Sequence, residues 1–370
     1  MVSPNVSSNR FPVHIGKQIG PLVWDWYHRN GRELPWRSTK DPYKIWVSEI
    51  MLQQTRVETV LAYYVRFIHA FPSLRDLAQA SQHAVLKQWE GMGYYARARN
   101  LHRSAQLIMI RHNGAIPHRM EDLISLPGIG RSTAGAILSF AYGERASILD
   151  GNIRRLLCRL YALQADPAQS ETAQLLWQLA GAILPDLDTG PFNQGLMDIG
   201  ALFCLPKKPH CQECPLPSVC RAFLTETQDR IPPPKKGRSL PRHNRAVGII
   251  WMDGRLLIRL RSSEGLLGGL WEFPSLRRKD IRRPFQMLPQ WLSQEYGLTI
   301  DLQEEILHFL HTYTHFQEMI RVISGRCRNG GGKLSEDLRW VWPQDLDEYA
   351  MPASDRRIAE MLNEPMWRNA

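Results

Sequence analysis

Apolar residues recur at helical spacing along the first two hundred residues of this chain. One apolar stripe ends at Gly31, where a helix can stop, and a second follows Asp41-Pro42, a pair that favours a helix start. The same spacing predicts further helices at 57–71, 73–80, 81–90, 96–111, 153–161, 170–183 and 191–203. Residues 13–229 are therefore predicted to form an all-α region.

A glycine-containing turn interrupts the helical pattern between Leu126 and Ala141. Gly128 and Gly130 allow backbone N–H groups to converge, and those donors lie at the positive end of the following helix. Such a turn can hold a phosphate without reading a base, which predicts a helix-hairpin-helix at about 121–142 that anchors nucleic acid. An ordinary turn between two helices is the alternative.

Two carboxylates lie beside these helices. Glu49 follows Trp46 and Ile45 by three and four residues, so it shares their apolar face. A carboxyl group held there has a raised pKa and can act as a general acid, whereas the alternative is a structural glutamate paired with an arginine. Asp150 comes just after the second helix of the hairpin, where it can face the same strand of nucleic acid.

Two loops combine aromatic and basic side chains. The first, from Arg32 to Arg37, contains Trp36, which can stack on a base or pack in the core. The second, from Gly91 to Asn100, contains two glycines, two tyrosines and two arginines. That composition suits insertion into a duplex, and it also suits a solvated loop.

Four of the six cysteines lie within seventeen residues of one another. They are Cys204, Cys211, Cys214 and Cys220. Structural zinc sites usually contain two close pairs of ligands, whereas only the middle two cysteines here form a close pair. The uneven spacing favours a [4Fe–4S] cluster over zinc, with four unrelated buried cysteines as the remaining alternative. Lys207, Lys208 and Arg221 would make this loop a second DNA contact.

Composition narrows the class of protein. The 370 residues carry a formal net charge of +10, which suits a polyanionic partner. Six cysteines are too few for a disulfide scaffold and indicate a reducing compartment. Residues 1–12 are polar without a signal-peptide core, and no apolar run reaches membrane-spanning length. We expect an intracellular monomer, cytoplasmic or nucleoid-associated, with a disordered tail at 1–12 and no membrane contact.

A break in composition follows at 230–245, where four prolines and six basic residues occur without an acidic one. This basic segment is predicted to be an extended linker. Beyond it, apolar runs at 246–252 and 255–260 flank Asp253-Gly254, which is a hairpin signal. A helical pattern near 284–296, further strands and a last helix after Pro352 predict a smaller α+β domain at 246–365.

These features together carry a family resemblance. The chain resembles the adenine DNA glycosylases of the MutY type, in the helix-hairpin-helix superfamily that also contains endonuclease III. Its marks, in one order, are residues 46–55, 93–97, 126–130 and 149–152 and the cysteine spacing. The resemblance implies a mainly α helix-hairpin-helix glycosylase region with a four-cysteine iron–sulfur loop at 204–220, followed by a smaller α+β Nudix-like (MutT-like) domain.

The resemblance also implies a reaction, the removal of adenine opposite 8-oxoguanine or guanine from double-stranded DNA after the nucleotide is flipped out. Glu49 would protonate N7 of adenine and later activate water, and Asp150 would stabilise the oxocarbenium sugar. Asn152 would orient Asp150 or its water, while Gly128 and Gly130 would hold the DNA backbone. Residues implied to line the adenine pocket are Trp36, Arg37 and Gln194. Those implied to meet the opposing 8-oxoguanine are Gln54, Thr55, Met92 and Tyr94.

One position separates this chain from bifunctional relatives such as endonuclease III. Those enzymes form a Schiff base with the sugar through a lysine two residues after the last glycine of the hairpin. The residue here is Ser132, which predicts a monofunctional glycosylase. Some adenine glycosylases have tyrosine there, in contact with the residue that matches Glu49. The alternative functions are an endonuclease III-like glycosylase/lyase and a non-catalytic, damage-sensing DNA-binding protein.

The resemblance assigns recognition to the C-terminal domain. A Nudix hydrolase needs a run of glutamates for Mg²⁺ before its final glycine, and before Gly297 only Glu295 remains. Family members sense the oxidised guanine with a Phe-Ser-His tip, which matches Tyr313, Thr314 and His315 here. The substitutions keep an aromatic ring, a hydroxyl group and an imidazole.

Overall fold

The computed structural model describes residues 13–186, 188–234, 239–278, 284–328 and 336–362. The tail predicted at 1–12, part of the predicted linker and the last residues of the predicted C-terminal domain lie outside these ranges. Contacts between Cα atoms divide the chain into two compact units. The first unit comprises Met1–Ala78 and Arg103–Lys236, and the second comprises Gln79–His102 and Gly237–Ala370.

The helices up to Leu224 confirm the predicted all-α character of this region. They are α1 (Val13–Asn30), α2 (Pro42–Leu52), α3 (Val57–Ala70), α4 (Leu74–Gln79), α5 (Gln82–Trp89), α6 (Ala96–Arg111), α7 (Met120–Ile124), α8 (Arg131–Ala141), α9 (Gly151–Leu160), α10 (Ser170–Ala182), α11 (Thr189–Leu202) and α12 (Arg221–Leu224). Short 3₁₀ helices occur at Pro35–Arg37 and Pro217–Val219. Helix α5 belongs to the second unit, and α6 begins there and continues into the first.

Side-chain caps fix where several of these helices begin. Asp41 accepts a hydrogen bond from the N–H of Tyr43 at 2.9 Å, and Pro42 occupies the first turn of α2. Before α4, Ser73 and Asp76 form a capping box. The backbone N–H of each donates to the side chain of the other, at 3.0 and 3.3 Å. These local signals explain why the sequence predicts both helix starts to within one residue.

The core of the first unit lies among helices α1, α8, α9, α10 and α11. Apolar side chains of α1, α9 and α11 are 0% exposed within it. They include Val23, Ile153, Leu157, Phe192 and Ile199. Because α9 has its apolar face in this core, the residues at its first turn have a fixed position.

Two glycines allow close packing against the start of α9. A Cβ atom at Gly135 in α8 would lie 2.3 Å from the carbonyl oxygen of Ser147. A Cβ atom at Gly200 in α11 would lie 2.8 Å from the Cβ of Asn152. Real side chains do not approach this closely, so glycine at both positions lets α8 and α11 lie directly against the segment that contains Asp150.

The second unit is organised around a sheet of seven strands, counted over the residues that the structure describes. The strands are β1 (Arg242–Met252), β2 (Arg255–Leu260), β3 (Trp271–Glu272), β4 (Ser275–Arg278), β5 (Ile300–Thr312), β6 (Gln317–Cys327) and β7 (Leu338–Val341). The order is β3-β2-β1-β6-β5, with β4 paired to β1 and β7 paired to β2. Strands β1 and β6 are parallel, and the other pairs are antiparallel.

Helices α13 (Pro284–Tyr296) and α14 (Ala353–Leu362) complete the predicted α+β fold, with a 3₁₀ helix at Pro343–Glu348. The predicted hairpin signal forms the turn between β1 and β2, because Asp253 and Gly254 have φ angles of 49° and 74°. Apolar side chains of α14 pack in a buried cluster with strands β1, β2, β3, β5, β6 and β7. Those of α13 pack in a second cluster that includes Leu257 and Ile300.

Residues 79–102 pack with this sheet domain although they lie within the predicted helical region. Glu90, which follows α5, accepts hydrogen bonds from Nε of Arg356 at 2.9 Å and from the N–H of Met351 at 3.0 Å. Arg99 in α6 donates to the carbonyl oxygen of Gly268 at 2.8 Å. The second unit therefore contains two segments that are far apart in sequence.

Candidate active site and cysteine pocket

One pocket of the first unit, about 1040 Å³ in volume, is lined by nine of the predicted site residues. They are Trp36, Arg37, Glu49, Gln54, Thr55, Ser132, Asp150, Asn152 and Gln194. The α2, α8, α9 and α11 helices and the loops beside them contribute these side chains. The first unit thus brings residues from both ends of its sequence to a single space.

Glu49 lies on α2 at the wall of this pocket and is half-buried. None of the described residues donates a hydrogen bond to its carboxyl group. Burial and the negative charge of Asp150 raise the pKa of Glu49 to about 8, against the opposing effect of the Arg37 charge. At neutral pH the Glu49 carboxyl group is therefore mostly protonated.

Asp150 is the N-cap of α9, and its Oδ1 accepts a hydrogen bond from the N–H of Ile153 at 2.7 Å. Burial raises the pKa of Asp150 above its ordinary value, while the N–H groups of Ile153 and Asn152 and the charge of Arg155 act to lower it. Donors at the helix start favour the Asp150 carboxylate, and Glu49 has no such donors among the described residues. The Asp150 carboxylate therefore has stabilising donors that the Glu49 carboxylate lacks in the described part of the chain.

The residues expected at the adenine side of the pocket are held by α1 and α3. Trp36 is 5% exposed and packs edge-on against Tyr64, so most of its ring belongs to the core and only its remaining surface lines the pocket. The hydroxyl of Tyr27 donates a hydrogen bond to Oε1 of Gln194. The guanidinium of Arg37 lies 5.6 Å from the centre of the Tyr27 ring.

Ser132 lies in the first turn of α8, where its hydroxyl accepts a hydrogen bond from the N–H of Leu149 at 3.2 Å. Leu149 is the residue before Asp150. The Ser132 side chain therefore holds the backbone that leads into the catalytic candidate, in addition to lining the pocket.

The predicted hairpin is the turn between α7 and α8. Gly128 has a φ of 80°, a conformation that favours glycine, and Gly130 is the N-cap of α8. Both glycines are exposed and lie outside the pocket lining. The hydroxyl of Ser104 in α6 donates to the carbonyl oxygen of Pro127 at 2.8 Å and holds the turn in place. The first N–H groups of α8 have no partner within the helix, so the turn offers donors to an anion.

A second, smaller pocket of the first unit is lined by all four clustered cysteines. They are Cys204, Cys211, Cys214 and Cys220. No disulfide forms among the described cysteines. The wall is largely apolar, with Leu156 and Leu216, and Nη1 of the buried Arg159 donates to Sγ of Cys204 at 3.3 Å. Burial raises the pKa of Cys214 to about 12. Four soft sulfur ligands beside a buried cation fit a metal centre whose thiolates carry negative charge.

The sites predicted in the second unit lie on two segments. Met92 is 6% exposed, and Tyr94 has a φ of 50° in the loop before α6. The hydroxyl of Tyr94 lies 3.0 Å from Oγ1 of Thr314, at hydrogen-bond distance. Thr314 and His315 are exposed at the turn between β5 and β6, whereas Tyr313 is half-buried. The second unit thus joins residues that are 220 positions apart in sequence.

Comparisons with known proteins agree with this arrangement. Residues 47–181 match the HhH-GPD superfamily of base excision DNA repair proteins, and residues 246–361 match the NUDIX domain. The adenine DNA glycosylase of Buchnera aphidicola subsp. Acyrthosiphon pisum is 38% identical over 87% of this chain and 90% of its own length. That of Mus musculus is 34% identical over 95% of this chain and 80% of its own length.

The chain belongs to the adenine DNA glycosylase family. A thermostable thymine-DNA glycosylase of known structure has a TM-score of 0.52 and 27% identity to it, covering 57% of this chain and 98% of that one. The predicted helix-hairpin-helix fold with a Nudix-like second domain is confirmed. The predicted enzyme class is also confirmed, a DNA N-glycosylase of base excision repair.

In the part of this chain that the structure describes, no helix is both long and apolar enough to cross a membrane.

Asp198 of this glycosylase lies behind the pocket, in contact with the lining residues Arg32 and Arg37, and the motifs did not indicate it. Its carboxylate is 0% exposed and accepts hydrogen bonds from Nη1 and Nη2 of Arg37, at 2.7 and 2.8 Å, and from Nε of Arg32 at 2.8 Å. Burial acts to raise the pKa of Asp198, but the hydrogen bonds and charges of the two arginines outweigh it and lower the pKa. Asp198 follows Gln194 by four residues, so helical spacing could have indicated it.

Arg155 is a second residue that the motifs did not indicate. Its Nη2 donates to Oδ1 of Asn152 at 3.0 Å and to the carbonyl oxygen of Gly200 at 2.7 Å. Its Nε donates to the carbonyl oxygen of Cys204 at 2.5 Å. Arg155 therefore connects the glycosylase pocket with the first of the four cysteines. It lies three residues after Asn152 on α9, so the spacing along this helix was its signal.

Proposed function

We propose that this glycosylase removes adenine that is mispaired with 8-oxoguanine or guanine in double-stranded DNA, by hydrolysis of the N-glycosidic bond. The observation that supports this most is the presence in one pocket of two carboxyl groups with different surroundings. Burial and the charge of Asp150 raise the pKa of Glu49 to about 8, whereas N–H groups at the start of α9 stabilise the Asp150 carboxylate. Cleavage of a glycosidic bond through an oxocarbenium ion uses such a pair, an acid for the leaving group and a carboxylate for the cation.

In the proposed reaction, the adenine nucleotide leaves the duplex and enters the pocket, because the glycosidic bond cannot be reached inside the base stack. Glu49 donates its proton to N7 of adenine, which makes the base a better leaving group, and then accepts a proton from the attacking water. Asp150 stabilises the positive charge that develops on the sugar. Asn152, held by Arg155, orients Asp150 or the water.

The remaining residues of the pocket select and hold adenine. We propose that Trp36, Arg37 and Gln194 contact the base, with Arg37 fixed by the buried carboxylate of Asp198. The planar guanidinium of arginine presents its donors in a fixed orientation. It is therefore better suited to recognise a purine edge than the flexible ammonium group of lysine.

We propose that the enzyme is monofunctional. A lyase step through a Schiff base requires an amine, whereas Ser132 supplies a hydroxyl that accepts the hydrogen bond from Leu149. The glycosylase/lyase alternative therefore lacks its nucleophile at this position.

We further propose that Cys204, Cys211, Cys214 and Cys220 hold a [4Fe–4S] cluster. The four cysteines line one pocket, and their uneven spacing along the chain, with one close pair, favours an iron–sulfur cluster over zinc. The loop that the four cysteines would hold around the cluster carries Lys207, Lys208 and Arg221. We propose that these residues contact the DNA backbone together with Gly128 and Gly130.

Several further residues are proposed to recognise the opposing base. They are Gln54, Thr55, Met92, Tyr94, Tyr313, Thr314 and His315. The protein would act as a monomer on double-stranded DNA in a reducing intracellular compartment, which suits the free thiols of its described cysteines.

The test is release of adenine from three duplexes that differ only in the base opposite adenine: 8-oxoguanine, guanine or thymine. We expect release from the first two, faster from the first, and the product strand should remain intact until it is treated with alkali. Equal release from all three duplexes would contradict the proposed substrate. Strand cleavage before alkali would contradict the monofunctional reaction.

A further inference from the structure

The turn between β5 and β6 presents its residues in two directions. A hydrogen bond from the N–H of Tyr313 to the carbonyl oxygen of Phe316, at 2.9 Å, closes the turn. Thr314 and His315 are exposed, whereas the hydroxyl of Tyr313 faces the interior and lies 3.0 Å from Oγ of Ser354. The Tyr313 ring also packs against the ring of Phe316, with centroids 4.5 Å apart. Tyr313 thus connects the turn to a buried residue of the domain, while Phe316 packs against His243 beside it.

The hydrogen bonds around Ser354 define the direction of its bond with Tyr313. Ser354 is 0% exposed, donates its own hydrogen to Oδ2 of Asp355 at 3.0 Å, and accepts a hydrogen bond from Nη1 of Arg245 at 3.2 Å. A serine hydroxyl has one donor and two acceptor positions. The donor and one acceptor position are occupied, so the Tyr313 hydroxyl donates to the second acceptor position.

Ser354 is itself held by buried ionic groups. Arg245 is 2% exposed and donates two hydrogen bonds to the carboxylate of Asp355, at 2.7 and 2.9 Å. It also donates to Oε2 of Glu272 at 2.9 Å. Groups in a buried network of this kind cannot move without leaving a charge unpaired, which is costly. The acceptor that Ser354 offers to Tyr313 therefore has a fixed position.

We propose that Ser354 is a positioning residue for recognition of the base opposite adenine, because its hydroxyl holds Tyr313 and thereby fixes the turn that presents Thr314 and His315. The inference rests on the proposed function of this turn. It gives Tyr313 a structural role as the anchor of the turn, with Ser354 as the partner that the Tyr313 hydroxyl requires.

The consequence is a dependence between two positions. A half-buried hydroxyl that loses its partner either remains unpaired or leaves its place to reach water, and both outcomes disturb the turn. A phenylalanine ring at position 313 has no such requirement. Removing the Ser354 hydroxyl should therefore matter more when residue 313 is tyrosine than when it is phenylalanine.

The experiment is a double-mutant cycle with Ser354→Ala, Tyr313→Phe and the double variant. The readout is the ratio of kcat/KM for adenine opposite 8-oxoguanine to that for adenine opposite guanine. We expect Ser354→Ala to lower this ratio about fivefold in the tyrosine background and less than about twofold in the phenylalanine background. Tyr349→Phe, which removes a hydroxyl elsewhere in the same domain, should leave the ratio unchanged.

An equal effect of Ser354→Ala in both backgrounds would overturn the proposal, since Ser354 would then act only through the ion pairs beneath it. A second readout does not depend on the folding of the alanine variant. Amide hydrogen exchange at residues 313–316 should be faster in Tyr313→Phe than in the natural protein, and unchanged exchange would also overturn the proposal. If the natural protein showed no preference for adenine opposite 8-oxoguanine over adenine opposite guanine, the proposed function of the turn would be wrong. The anchoring of Tyr313 would not be affected by that result, because the exchange measurement tests it separately.

Discussion

Two carboxyl groups in one pocket have different surroundings, which favour the protonated form of Glu49 and the ionised form of Asp150 to different extents. Glu49 receives no hydrogen bond from the described residues and has a pKa of about 8, whereas Asp150 lies where the first N–H groups of a helix stabilise negative charge. The same side-chain chemistry can therefore provide an acid and an anion at one pH. This difference is the physical basis of the proposed reaction.

The first prediction concerns the pH dependence of adenine release. The proposed reaction needs protonated Glu49, and the protonated fraction falls as pH rises through about 8, so the single-turnover rate should fall about tenfold per pH unit above about 8. Rates measured on a duplex with adenine opposite 8-oxoguanine, from pH 6 to pH 10, provide the test. The Glu49→Gln variant is the control and should lack this decline. A natural-protein rate that stays level to pH 10 would exclude Glu49 as the acid.

Sequence alone could indicate Glu49 and Asp150 because each lies in a local motif. It did not indicate Asp198 or Ser354, whose roles depend on partners far away in the chain. Asp198 pairs with Arg37 across 161 positions, and Ser354 meets Tyr313 across 41. Helical spacing from Gln194 could have indicated Asp198 as a candidate, but the pairing itself has no signature in one sequence, because only the fold brings the two partners together.

Among the helices, α11 carries both a residue of the pocket lining and a buried carboxylate that holds two arginines. It carries Gln194 and Asp198 on one side, and the buried carboxylate of Asp198 holds both Arg37 and Arg32. At its start, Asp188 caps the helix by accepting a hydrogen bond from the N–H of Gly190 at 2.9 Å. One helix therefore contains a buried aspartate with two ionic partners and a capping aspartate, which form a matched pair for comparison.

The second prediction is that Asp198→Asn destabilises the enzyme and slows adenine release. Removing the charge leaves two arginines without their buried partner, which should cost about 3 kcal/mol in the free energy of unfolding. Release should slow at least about tenfold, because Arg37 is no longer fixed at the pocket. Denaturant unfolding and single-turnover rates measure the two effects.

Asp188→Asn is the matched control for this prediction. Asparagine also caps helices, so this variant should change the free energy of unfolding by less than about 0.5 kcal/mol and leave the rate unchanged. If Asp198→Asn had the same free energy of unfolding and the same rate of adenine release as the natural protein, the role assigned to Asp198 would be wrong.

Element boundaries were predictable where local chemistry decides them. The capping box before α4 and the Asp253-Gly254 turn are contained in a few consecutive residues, and the structure has both. The close approach permitted by Gly135 was not predictable, because it depends on the carbonyl of Ser147 arriving at the helix surface. The sequence shows that residue 135 is a glycine, but it does not show which part of the chain packs against that residue.

At the scale of the whole molecule, the compact units do not follow the order of the chain. Residues 79–102 belong by sequence to the helical region that matches the HhH-GPD superfamily, yet they pack with the sheet domain. Met92 and Tyr94 consequently share a unit with Thr314 and its neighbours. Periodicity predicted both the helices and the sheet domain, but it contains no information on which helix packs with which unit.

The central claim is that Glu49 acts as the acid that releases adenine, and the most direct test compares binding and release in Glu49→Gln. The variant keeps the size of the side chain and loses the proton. We expect it to bind a duplex with adenine opposite 8-oxoguanine as the natural protein does, while single-turnover release falls by about 10³-fold. Release within about threefold of the natural rate, with binding intact, would contradict the account.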